Sequence, residues 1–169
     1  DRPDLLRALI GKLLVRDDGA TFGEQLQHAL QYALSLQRTA VVDALLAHRT
    51  PLGNVNLCSL YARGPSAVAA PELARLRSSP QSLRGLNERE QLACYRQHIV
   101  PFLTSLVPQY ADAFAARTRD GRSKPLRASD VFLWAVTAAA WPLARALWRW
   151  TENPVRSGIV ASLACRRMA

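Results

Sequence analysis

Lysine is nearly missing from this chain of 169 residues. Of its 22 basic residues only Lys12 and Lys124 are lysines, and the rest are arginines. Cysteine is scarce too: Cys58, Cys94 and Cys165 are odd in number and widely spaced. That argues against a disulfide framework and for reduced thiols that act as small apolar residues. Apolar runs are broken by Arg, Gln or Asp before reaching the roughly 18 residues of a membrane span. Asp1, Arg2, Asp4 and Arg7 spoil any signal peptide. β-Branched residues are sparse and no stretch alternates apolar with polar, which argues against a β fold. Gly-x-Ser-x-Gly, a glycine-rich phosphate loop and His-Glu-x-x-His are all missing, so no enzyme class is signalled.

What is present is a chain 49% hydrophobic and 21% charged, enough to bury the core of one domain and too apolar for global disorder. The net charge of +9 gives a basic surface. Such a surface suits nucleic acid, anionic lipid or an acidic partner, although arginine-rich coding bias produces the same composition.

The periodicity predicts an all-α fold. Pro3 and Asp4 open a helix, and Asp17-Asp18-Gly19 end it as a turn. Thr21 and Glu24 form a capping box before a helix carrying Leu26, Ala29, Leu30, Ala33 and Leu34. After a break at Gln37-Arg38, Thr39 caps a second helix through Leu45 and Leu46. Residues 54–61 form a further short helix. Residues 71–77 make two helical turns within a Gly- and Pro-punctuated stretch. Asn87 and Glu90 repeat the capping box, Pro101 opens the next helix, and Pro108 kinks or splits it. Ser129 or Asp130 caps an apolar helix, Trp141-Pro142 starts another, and Asn153-Pro154 starts the last.

Two stretches 102 residues apart resemble one another. Tyr32-Ala33-Leu34-Ser35 followed by Val41 to Leu46 matches Trp134-Ala135-Val136-Thr137 followed by Leu143 to Trp148. Both read as a helix, a tight turn and a second apolar helix. Repeated helical hairpins suggest stacked, solenoid-like units. Three spans follow: 1–63 holds an N-terminal helix and the first hairpin, 64–127 is a variable, partly helical middle with a basic linker, and 128–169 holds the second hairpin and a last helix. All belong to one domain, read as an excerpt of a longer protein.

The C-terminal span reads Ser-Asp-Val-Phe-Leu-Trp-Ala-Val from Ser129, Leu-Ala-Arg-Ala-Leu-Trp from Leu143, and closes on Leu-Ala-Cys-Arg-Arg-Met-Ala. It resembles the pre-membrane region of melastatin-type transient receptor potential (TRPM) channels. Trp134-Ala135 matches that family's Trp-Ala pair, Trp148 its second Trp, and Ala164-Cys165-Arg166 its Ala-Cys-Lys element. Residues 25–46 resemble the family's ankyrin-like hairpin, and residues 54–64, with Leu57, Leu60 and Tyr61, the Leu-x-x-Leu-Tyr segment after it. About half the chain is covered; residues 64–127 align with nothing and correspond to a variable insertion. The resemblance implies the late cytosolic melastatin homology region of a cation channel. It would be a non-catalytic stack on the cytosolic face of a membrane that packs against neighbouring subunits of a homotetramer and transmits movement to the membrane domain. The family's membrane helices, pore loop and nucleotide-binding fold lie outside these residues, so no ion-binding role is carried onto any of them.

Cys94 and His98 stand four apart on one predicted helix, a spacing that offers two metal ligands but lacks the second pair a closed site needs. No metal or cofactor is therefore expected. Asp17 and Asp18 read as a turn rather than a carboxylate pair. Trp134, Trp141, Trp148 and Trp150 fall within 17 residues, the first three at steps of seven. They are expected to pack in the core and between hairpins, with Trp150 the most exposed. The packing and interface candidates are Trp134, Trp141, Trp148, Ala144, Leu45 and Leu46, with Ala144 allowing close helix approach. Arg117, Arg119, Arg122, Lys124 and Arg127 form a basic linker that can face anionic lipid or an acidic neighbour, or stay solvated. The alternative function is a free-standing helical adaptor or nucleic-acid-binding module that uses this arginine-rich surface.

Overall fold

The computed structural model describes residues 20–53, 55–63, 71–78, 83, 85–116 and 126–169. Every regular element among them is helical. α1 spans Ala20–Ser35, α2 Thr39–Ala47, α3 Leu57–Arg63 and α4 Pro71–Ser78. A long helical rod follows: α5 Glu88–Cys94, a π turn Tyr95–Ile99, and α6 Val100–Leu106. A 3-10 turn, Pro108–Tyr110, leads to α7, Ala111–Ala116. The chain closes with α8, Ala128–Thr137, α9, Trp141–Trp148, and α10, Pro154–Met168. The helix expected from Pro3 and the Asp17-Asp18 turn lie outside the described residues.

The first two hairpins end in the same way. In α1–α2 the Gln37 N–H donates to the Leu34 carbonyl at 2.9 Å and the Arg38 N–H to Ala33 at 2.9 Å. In α8–α9 the Ala139 N–H donates to Val136 at 3.0 Å and the Ala140 N–H to Ala135 at 2.9 Å. Each pair is a Schellman closure, and each acceptor and donor is displaced by the same 102 residues seen in the sequence. Even the side chains agree: the Ser35 hydroxyl donates to Tyr32 at 2.8 Å, and the Thr137 hydroxyl to Trp134 at 3.0 Å.

The motif requires a left-handed residue, and here it is not glycine: Gln37 has φ 53°, Ala139 has φ 54°, and Arg49, which closes α2 by the same motif, has φ 56°. An alanine in this region costs about 1–2 kcal/mol. Glycine removes that cost and returns about 0.4–1 kcal/mol to the unfolded chain. Ala139→Gly is therefore expected to raise Tm by about 1–4 °C in calorimetry; a lowered Tm would contradict the turn geometry.

Several predicted caps move. α1 begins at Ala20, so Thr21 lies inside the first turn rather than at the cap. Thr39 is the first helical residue of α2, because the Schellman closure already consumes Gln37 and Arg38, and Arg38 stands at the cap position with no side-chain bond. α8 is capped neither by Ser129 nor by Asp130. It starts after Arg127, whose N–H donates to the Asp130 carboxylate at 2.9 Å, while Glu152 accepts from the Ala128 N–H at 3.0 Å. Asn87 with Glu90 forms the expected box, at 3.0 Å and 2.8 Å, and Asn153 accepts from the Arg156 N–H at 3.0 Å.

Pro101 does not restart the helix. Proline removes one N–H and crowds the carbonyl four residues back. The π turn beside it relaxes that crowding by widening one turn. Cys94, Ile99 and Val100 accordingly keep right-handed helical angles, and the rod runs on. Pro108 does split the path: Val107 leaves helical space at φ −137°.

One core takes side chains from all three spans. Leu30, Leu34, Val42 and Leu45 come from the first hairpin, Val131, Trp134, Leu143 and Leu147 from the second, and Leu76, Tyr95, Ile99, Phe102 and Leu106 from the middle. α3 packs against both α1 and α8, and α10 against α8 and α6. Asn56 pins α3 in place: its N–H donates to Gln31 at 2.7 Å, its amide to the Leu83 carbonyl at 2.8 Å, and its side-chain oxygen accepts from the Ser59 N–H at 2.9 Å.

Tyr61 of α3 meets Phe102 edge-on, centroids 5.9 Å apart. Burial pushes its phenol well above the ordinary value near 10, and the neighbouring Thr137 hydroxyl opposes this only in part. Between the unfolded and folded values the unfolded chain releases the proton and the native state keeps it, so stability falls as pH rises. Wild type is expected to lose stability above about pH 10 more steeply than Tyr61→Phe, as read by urea midpoints at pH 8, 10 and 11. Parallel losses would contradict it.

Candidate functional site

The four tryptophans separate into one core residue and three surface residues. Trp134 is 1% exposed, whereas Trp141 is 53%, Trp148 46% and Trp150 39% exposed. The core expectation is thus corrected for Trp141 and Trp148. Their spacing of seven does place them on one face of α9, but Leu143, Ala144 and Leu147 occupy the opposite face and bury it. Trp150, expected to be the most exposed, is the least of the three, because its indole N–H donates to Asp43 at 3.0 Å. Leu45 and Leu46 are buried in α2, and Ala144 is buried in α9.

Trp148 lies in the angle between α9 and α10. Its indole N–H donates to the Pro154 carbonyl at 2.7 Å, and its ring would stand 3.7 Å from a β-carbon placed on Gly158. Val155 and Ile159, one turn apart on α10, are exposed beside it. Trp141, Arg145 and Trp148 thus share one exposed face of α9, and Val155 and Ile159 are exposed on α10, the helix to which Trp148 is bonded.

Asp43 joins the two hairpins. Its carboxylate oxygen accepts from the Arg149 guanidinium at 3.0 Å as well as from Trp150. The Asp43 end of this ion pair is partly covered and the Arg149 end is open, so its contribution is that of a surface pair, on the order of 1 kcal/mol or less.

A cleft of about 410 Å³ opens between α7, α8 and α10. Tyr95, Phe114, Leu133 and Val160 line it, with Arg127, Asp130, Glu152, Asn153 and Arg156 around them. These polar groups already have work within the chain: Asp130, Glu152 and Asn153 accept from the Arg127, Ala128 and Arg156 N–H groups at helix starts, and the Arg156 guanidinium stands 5.4 Å over the Tyr110 ring. Of the basic linker, Arg127 is exposed beside this cleft. Arg117, Arg119, Arg122 and Lys124 lie outside the described residues.

No local pattern in the sequence brings Cys58 and Cys94 together. α3 packs on α5, and the Cys58 thiol donates to the Gln91 carbonyl at 3.6 Å, one turn before Cys94. Hydrogen bonding to Cys94, together with burial, raises the Cys58 thiol far above its usual range. Accepting from Cys58 holds Cys94 below it. Burial raises Cys165. Alkylation follows the thiolate. Iodoacetamide near pH 8 is therefore expected to modify Cys94 first, at a rate that rises with pH along a lower titration than that of Cys165; prior labelling of Cys58 or Cys165 would contradict the pairing. Among the described residues no group of three or more His, Cys, Asp or Glu side chains converges.

Comparison with protein-family models, with curated proteins and with solved structures finds no match to this chain. Among the described residues no helix is long and apolar enough to cross a membrane.

Proposed function

We propose that this chain is a non-catalytic packing and coupling domain: a solenoid-like stack of helical hairpins that joins subunits and passes displacement between them. On the pattern that the TRPM resemblance implies, the parent is a cation channel assembled as a homotetramer. The stack sits on the cytosolic face, between neighbouring subunits and the membrane domain.

The observation that carries this reading is the duplicated hairpin, with its turn bonds repeated at a constant displacement and its second copy ending in an exposed tryptophan face. A unit that repeats buries its face on a neighbour. Such a stack works mechanically, because close-packed interfaces shift between discrete arrangements rather than deforming smoothly.

The test is electrical. The full-length parent, expressed in cells and recorded in whole-cell mode, is expected to carry a cation current, and Trp141→Ala with Trp148→Ala is expected to reduce that current without abolishing expression. A parent that carries none overturns the channel reading. In that case, binding to RNA or DNA that weakens steeply with salt would put the arginine-rich adaptor in its place.

A further inference from the structure

In the first hairpin, α2 presents Thr39, Asp43 and Leu46 at helical spacing of four and three. The second hairpin closes over this face: Leu46 is buried, and Asp43 is held by Arg149 and Trp150. The displacement of 102 residues that relates the hairpins carries these three positions onto Trp141, Arg145 and Trp148. There all three are exposed, and Arg145 has no hydrogen bond or ion pair among the described residues. The surface by which the first hairpin receives its neighbour is therefore open on the second, with its charge reversed from aspartate to arginine.

The geometry points to an acidic amphipathic helix of another polypeptide as the occupant of this face. Three features select it. The exposed face runs along α9 with two tryptophans on it, and α10 beside it exposes Val155 and Ile159; a helix lays an apolar stripe on such a face. Trp148 is held by its own hydrogen bond, so it is ordered before binding, as an interface anchor should be. Arg145 stands where Asp43 makes the inter-hairpin bonds, and it calls for a carboxylate opposite. A second copy of this chain, at +9, brings charge of the same sign. This inference rests on the packing-domain reading and adds to it the chemistry of the partner.

The test is a titration of the 169-residue chain, followed by tryptophan fluorescence. One synthetic helical peptide carries leucines at positions i, i+4 and i+7 flanked by glutamates; the other has lysines in their place. The glutamate peptide is expected to bind at least tenfold more tightly than the lysine peptide. Arg145→Glu, an exposed change, is expected to reverse that order, and Trp148→Ala to weaken the glutamate peptide at least tenfold. Equal binding of the two peptides, or binding of neither, overturns the inference. So does binding to phosphatidylglycerol vesicles that Arg145→Glu abolishes while the peptides fail, which would assign the face to a lipid surface. Self-association in sedimentation that Trp148→Ala removes would assign it to a second copy. None of these outcomes bears on the parent's current, so the coupling reading stands or falls separately.

Discussion

Trp134→Ala is expected to cost about 3–5 kcal/mol, lowering Tm by roughly 6–20 °C. Trp134 is the largest fully buried side chain among the described residues. It sits on α8, the helix that α3, α9 and α10 all pack against. Removing the indole opens a cavity where those helices meet, and a cavity that three helices frame collapses poorly. One detail makes the prediction sharper. The indole N–H is buried with no hydrogen-bond partner among the described residues. An unpaired buried donor costs about 1–3 kcal/mol. Trp134→Phe removes that cost along with part of the ring, so it should be much milder than the alanine variant. Trp148→Ala should also be mild, near 1 kcal/mol, since that ring is half-exposed and contributes mainly one hydrogen bond. Urea melts of the three variants check the ranking; a Trp148→Ala cost equal to that of Trp134→Ala would contradict the assignment of core and surface.

Leu45→Ala carries the second large effect, about 2–5 kcal/mol. Leu45 is 1% exposed and holds α2 in the common core. Its counterpart 102 residues on is Leu147, equally buried in α9. If the hairpins are equivalent units, Leu147→Ala should cost a similar amount, and each variant should shift its denaturant midpoint without changing the slope. A cost below 1 kcal/mol for either would show that its hairpin does not depend on this contact.

Much of the helical layout was legible because its signals are local. The Asn87–Glu90 box, the Asn153-Pro154 start and the break at Pro108 each depend on a few neighbouring residues. The hairpin repeat was legible as well, since equivalent turns need equivalent spacing. The turns themselves were harder to read. Left-handed residues are usually glycine, and here Gln37, Arg49 and Ala139 take the position, so no glycine marks which residue turns. Pro101 misled for a related reason: the π turn that accommodates it has no residue signature. The spacing of seven does put Trp141 and Trp148 on one face of α9, but spacing alone does not say which face the core claims. The Leu143–Leu147 pair decided that, through its fit against α8. The Cys58–Cys94 pair joins residues on two helices and was invisible to any local pattern.

The most direct measurement is the native mass of the protein in solution, by light scattering. A subunit-packing domain predicts four copies per particle. A single copy would contradict it.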